Sequence, residues 1–124
     1  MKIIKYSTLI LLVLFFTFAL TACNDDLLQE VVDQINADEG LQEDLRGLYK
    51  IRAEKRGNSA IAVIFNAEIE EIATAEISHL VAEGGEREFQ EAVEVLRKAK
   101  ISNPEVILEF FDPSGIFIYT HVFN

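Results

Sequence analysis

Asp112-Pro113-Ser114-Gly115 stands between two runs rich in β-branched and aromatic residues, with proline second and glycine fourth, as a type I turn prefers. It predicts a C-terminal hairpin, with one strand over Val106 to Phe111 and another over Ile116 to Phe123. A second hairpin signal lies upstream. From Leu48 to Glu54 the chain alternates, with Tyr49, Ile51 and Ala53 on one side and Lys50, Arg52 and Glu54 on the other. Lys55-Arg56-Gly57-Asn58 supplies turn residues, and Ala60 to Phe65 follows, apolar on both faces and therefore expected to be the more central strand.

The remainder carries helical spacing. Leu27, Leu28, Val31, Val32 and Ile35 predict an amphipathic helix from about Asp26 to Asn36. Asp38 caps a second short helix through Arg46, with Leu41 and Leu45 inward and Gly47 at its end. Between Asn66 and Lys100 two apolar patches recur, Ile77, Leu80 and Val81 and then Phe89, Ala92, Val93 and Leu96. On one ideal helix their mean directions differ by roughly 100°. Gly84-Gly85 lies between them, and two glycines cost about 2 kcal/mol of helix propensity relative to alanine. Two helical segments with a break are expected there, and a single long, slightly wrapped helix is the alternative. Asn103-Pro104 closes the helical region. The expected architecture is α+β: an antiparallel four-stranded sheet of two β-hairpins with helices packed on one face, in the order α-ββ-α-ββ.

Upstream of this domain, Lys2 and Lys5 precede an apolar run from Tyr6 to Leu20, which ends in Leu20-Thr21-Ala22-Cys23. Basic start, apolar middle and small residues before a boundary are the parts of a secretory signal, and the cysteine makes the boundary read as a bacterial lipobox. The run is 15 residues long, short of the ~20 that cross a bilayer. The expected organisation is a lipoprotein signal peptide over 1–22, an acylated Cys23 with a short polar lead over 23–25, and one α+β domain over 26–124. Two or more acyl chains hold a protein stably at a membrane where one does not. A diacylglyceryl group on Cys23 therefore explains how one residue replaces a spanning helix. No other prosthetic group is expected.

Removing 22 residues from 124 leaves 102, enough for a single core. It also removes two lysines and no acid, which takes the formal charge from −10 to −12. A field of that sign repels nucleic-acid phosphates and anionic headgroups, so nucleic acid is not an expected partner. Asp25, Asp26, Glu30 and Asp33 likewise give the first helix the wrong polar face for anionic lipid. Cys23 is the only cysteine, so no disulfide is available.

Catalytic constellations are sparse. Ser59, Ser78, Ser102 and Ser114 sit in no G-x-S-x-G context, and Ser78 and His79 occupy adjacent rather than facing helix positions. The glutamate runs over 68–76 and 83–94 have the spacing of a solvated helix face. His79 and His121 are the only histidines, too few for a closed zinc site, and no metal is expected.

The stretch from Ile101 to Gly115, with its Asn103-Pro104 helix exit, aromatic strand and Asp112-Pro113-Ser114-Gly115 turn, resembles the C-terminal signature of small Gram-positive lipoproteins grouped as a domain of unknown function. The resemblance implies an α+β fold and surface anchoring, and supplies no site residues.

These readings converge on a lipid-anchored, extracytoplasmic, non-enzymatic domain that binds another protein or a small ligand, the short tether favouring a partner that is itself membrane-bound. Phe117, Tyr119, His121 and Phe123 on the last strand are the candidate anchors, since aromatics dominate binding hot spots. The competing reading of that row is core beneath a helix. A small envelope hydrolase or metal-dependent enzyme is the alternative function, and it requires a pocket joining a histidine to at least two carboxylates.

Overall fold

The computed structural model describes residues 27–124. Cys23 and the signal and lead proposed around it lie outside them. The chain forms α1 (Leu27–Ala37), α2 (Glu39–Asp44), β1 (Tyr49–Arg56), β2 (Ala60–Ala67), a 3-10 turn (Glu70–Ile72), α3 (Ala75–Gly84), α4 (Glu86–Lys98), β3 (Glu105–Phe111) and β4 (Phe117–Phe123). The element order is thus two helices, a hairpin, a 3-10 turn with two further helices, and a second hairpin, which corrects the expected α-ββ-α-ββ order: the breaks at Asp38 and at Gly85 make each helical region two separate helices. The fold is α+β, with the helices on one face of the sheet.

The sheet is mixed, which corrects the all-antiparallel expectation. Its strand order is β1-β2-β3-β4. Each hairpin is antiparallel, but β2 and β3 run parallel, with Ala60 opposite Glu105 and Asn66 opposite Phe111. The turn signals define partners within a hairpin and say nothing about which strands meet between hairpins. Burial decides that. β2 is apolar on both faces, and Val106, Leu108 and Phe110 of β3 are wholly buried, so these two strands take the centre. The α3–α4 connection is long enough to carry the chain back for a parallel pairing.

The core forms between the helices and one sheet face. Leu27, Leu28, Val31, Val32 and Ile35 of α1 share one core with Phe89, Ala92, Val93 and Leu96 of α4 and the inward residues of all four strands. Tyr49, Phe65 and Phe110 form its aromatic centre: Phe65 stacks on Phe110 at 4.8 Å, and Tyr49 meets both edge-on at 5.5 and 6.0 Å.

Local chemistry sets the element ends. Asp38 caps α2 by accepting from Leu41 N at 2.9 Å, and Thr74 caps α3 by accepting from Ile77 N at 3.1 Å. The α3–α4 break falls at Gly85, as the glycine pair implied. In α3 the buried positions are Ser78, Val81 and Ala82, whereas Leu80, assigned inward from its spacing, is 54% exposed. The buried Ser78 hydroxyl donates to Thr74 O at 2.8 Å, which lets a polar residue face inward. At the second hairpin, Asp112 Oδ1 accepts from Ser114 N and Ile116 N at 2.8 Å each, and Gly115 takes a φ of 86° that a side chain would resist.

Lys100 is unusual. It follows α4 with a φ of 68°, where Lys100 N donates to Arg97 O and Ile101 N to Leu96 O. This is the Schellman arrangement, whose left-handed residue is usually glycine. A lysine there costs on the order of 1 kcal/mol.

Tyr49 is 2% exposed, and its hydroxyl has no hydrogen-bond partner among the described residues. Burial pushes its phenol up from 10.0 to about 12. An unsatisfied buried hydroxyl costs about 1–3 kcal/mol, so Tyr49→Phe is expected to stabilise the fold by roughly 1 kcal/mol in urea unfolding. The raised phenol favours the folded state fully below pH 10, and that contribution is lost as pH climbs towards 12. Tyr49→Phe should remove this alkaline loss. A midpoint unchanged or lowered at neutral pH would contradict the assignment.

Candidate functional site

The two sheet edges are treated differently. Along β1, Ala53 N donates to Asn36 Oδ1 at 2.7 Å, while Asn36 Nδ2 donates to Ala53 O at 2.9 Å. Gln42 Nε2 adds a donor to Ile51 O at 2.7 Å. Side chains from α1 and α2 thus occupy backbone groups that a foreign strand would need. β4 is the other edge, and among the described residues no side chain bonds to the outward backbone groups of 117–123. The sequence offered a weak sign of this plug: Asn36 is a polar residue one position past the last apolar residue of a helix stripe.

β4 does not present its four candidate residues as one row. The register slips at Phe110/Phe111: Phe110 faces Tyr119, whereas Phe111 faces Phe117, leaving Ile118 as the extra residue of a bulge. Because Phe110 points into the core, Phe111 and its partner Phe117 lie on the open face, with their rings edge-on at 5.8 Å. Phe117 is 54% exposed. Phe123 is 1% exposed and stacks on Phe89 at 5.3 Å, so it is core and not an available anchor. Tyr119 and His121 are half-buried on the helix side. Exposed apolar surface also lies at positions outside that row: Val122, 43% exposed, pairs with Ile107, and Ile116 in the turn is 64% exposed. Of the five exposed large apolar residues among those described, three lie on β4 or its turn, so their apolar exposure concentrates at the open edge.

The two histidines meet through a tyrosine. His79 Nδ1 lies 2.9 Å from Tyr119 Oη, which is 3.3 Å from His121 Nδ1, and His79 Nε2 is 3.4 Å from Glu83. A phenol can donate to one ring nitrogen and accept from the other, so this chain of contacts ties α3 to β4. Glu83 is the one carboxylate it reaches among the described residues, and no group of three His, Cys, Asp or Glu there is placed to hold a metal.

The open face has two halves. Towards β1, Arg56 makes a bidentate pair with Glu109 at 2.8 and 2.9 Å and also bonds Glu54, which Arg52 approaches at 3.7 Å. Ala60, Ala62 and Ile64 of β2 are buried on this same face. The hydrogen bond from Arg56 holds the Glu54 carboxyl below its ordinary value; desolvation opposes this, and the Arg56 and Arg52 charges assist. Towards β4 the face is apolar, through Ile107, Phe111, Phe117 and Val122.

Cavities lined by described residues lie at both ends of the sheet. One of about 280 Å³ opens between the β1–β2 turn and the end of α4, with Lys55, Asn58, Lys100 and Ser102 in its wall and Leu28 of α1 at its side. Another of about 220 Å³ is lined by Lys50, Asn66, Glu68 and Pro113. Neither is lined by a histidine. No protein-family model, curated protein or solved structure matches the chain.

Proposed function

We propose that the chain is a lipid-anchored, non-enzymatic envelope domain that receives an extended segment of a membrane-bound protein along β4. The observation that carries this reading is the asymmetry of the edges: Asn36 and Gln42 occupy β1, while β4 combines unoccupied backbone with exposed Phe117 and Val122. Strand addition uses those two elements together, main-chain bonds for affinity and flanking side chains for selection. The anchoring part rests on Leu20-Thr21-Ala22-Cys23 and on the resemblance of the C-terminal third to small Gram-positive lipoproteins. No helix among the described residues is long and apolar enough to cross a membrane.

A photoreactive residue at Thr120, in native membranes, should join the domain to one discrete protein, and the same probe at Lys50 beside the occupied edge should not. Phe117→Glu with Val122→Glu replaces two exposed side chains and should preserve the fold. It is expected to lower the crosslink on the order of 30-fold, the effect of losing about 2 kcal/mol at an interface centre. Equal labelling from both edges, or a yield indifferent to the double substitution, would refute the β4 assignment.

A further inference from the structure

The fold sorts charge along the strand axis. Segments 55–60 and 97–104, which meet at the β1–β2 turn end of the sheet, carry five cations and no carboxylate; Arg56 and Arg97 are paired with glutamates outside the segments, which leaves Lys55, Lys98 and Lys100. Segments 38–48 and 68–76, at the opposite end, carry eight carboxylates and one cation, Arg46. The eight-residue strands β1 and β2 separate these ends by roughly 25 Å, well beyond a Debye length of about 8 Å at physiological ionic strength. A net charge of −10 therefore describes neither end.

Within the basic end, Lys55 and Lys100 line one cavity with Asn58 and Ser102, and no carboxylate lines it. Neither lysine has an ion-pair partner among the described residues. The dipole of α4 accounts for cations in its last turn, Arg97 and Lys98. It does not account for Lys55, which arrives from the β1–β2 hairpin, nor for a lysine at Lys100, where the positive φ favours glycine. A residue held against local backbone preference, beside a second lysine in a cavity with two neutral hydrogen-bonding residues, is the composition of a phosphate seat.

The location names the occupant. Leu28 lines the same cavity and begins only five residues after Cys23. Consecutive Cα atoms are 3.8 Å apart, so the cavity-lining turn of α1 stays within roughly 20 Å of the acylated residue whatever path the chain takes. We infer that Lys55, Lys100, Asn58 and Ser102 hold the phosphate of an anionic phospholipid headgroup in the leaflet that carries the anchor. This rests on the anchored reading. It opposes, for this end of the molecule, the repulsion expected from net charge and from Asp25, Asp26 and Glu30, which neighbour the anchor in sequence, and it turns the acidic end away from the bilayer.

The test uses the lipidated protein in phosphatidylcholine vesicles with and without phosphatidylglycerol, read by amide exchange. Segments 55–59 and 99–102 should exchange on the order of tenfold more slowly on the anionic vesicles, each lysine contributing roughly fivefold to surface affinity. Segment 38–48 should be unchanged, and added salt should erase the difference. Lys55→Gln with Lys100→Gly should also erase it. Because Lys100→Gly alone is expected to raise Tm by relieving the positive φ, loss of protection in that variant cannot come from unfolding. Identical exchange on the two vesicles overturns the headgroup seat, and so does equal protection by inorganic phosphate on neutral vesicles. Failure of the anchor itself is read separately, as a mature protein whose mass lacks a diacylglyceryl group on Cys23.

Discussion

Cys23→Ala is expected to take the protein from complete membrane retention to background while leaving its fold intact. On the anchoring proposed above, the Cys23 thiol carries the diacylglyceryl group, and each buried methylene of such a lipid contributes about 0.8 kcal/mol to membrane binding. Among the described residues no helix is long and apolar enough to replace it. Lysines near an anionic surface contribute about 1 kcal/mol each, so Lys55 and Lys100 together orient a tethered domain but do not hold an untethered one. Folding should not suffer, because every core residue among those described, Leu27 onward, lies downstream of the substitution. The check is fractionation with the mass of the product, alongside far-UV circular dichroism. A variant that stays in the membrane with residues 1–22 still attached would show that the 15-residue apolar run anchors by itself, and the lipoprotein reading would fall.

The largest effect on stability should come from Phe110→Ala. Phe110 is wholly buried on the central strand β3, stacked on Phe65 at 4.8 Å, with Tyr49 and Tyr119 at 6.0 and 6.1 Å. Truncating it opens a cavity bounded by both hairpins at the parallel β2–β3 seam, where neither strand can shift without breaking the ladder. Buried Phe→Ala substitutions cost about 3–5 kcal/mol, a large part of the 5–15 kcal/mol that holds a typical domain. With a urea dependence of about 1–3 kcal/mol per molar, the midpoint should fall by more than about 1 M, and the protein should be partly unfolded near its growth temperature. The same substitution at Phe117, on the open face, should move the midpoint little. Equal effects at the two phenylalanines would contradict the assignment of inner and outer faces across the bulge.

That pair also shows where reading the chain succeeds and stops. Phe117 and Phe123 are six residues apart on one strand, so simple alternation puts them on one face. The bulge at Ile118 breaks the alternation, and its cause is the register of β4 against β3, not any property of Ile118 itself. Leu80 illustrates the same limit on a helix. Its spacing from Ile77 and Val81 suits an inward face, yet Ser78 and Ala82 are inward instead, because a helix packed closely over a sheet favours small side chains at the contact and Ser78 can bond back to Thr74. The histidines, separated by 42 positions, meet only because α3 crosses β4 and Tyr119 lies between them.

What the chain determined by itself is local. Glycine at Gly84-Gly85, proline and glycine around 112–115, caps at Asp38 and Thr74 and the two periods of apolar spacing act within a few residues, through backbone preference and short-range hydrogen bonds. They settled where helices and strands start and stop. Only the tertiary structure decided that β2 and β3 lie side by side and parallel, that Asn36 and Gln42 close one edge while β4 stays open, and that cations distant in sequence, Lys55 and Lys100, share a cavity beside α1. Each of these depends on how the most apolar strands and helix faces compete for a single core, a global condition that no short stretch of residues encodes.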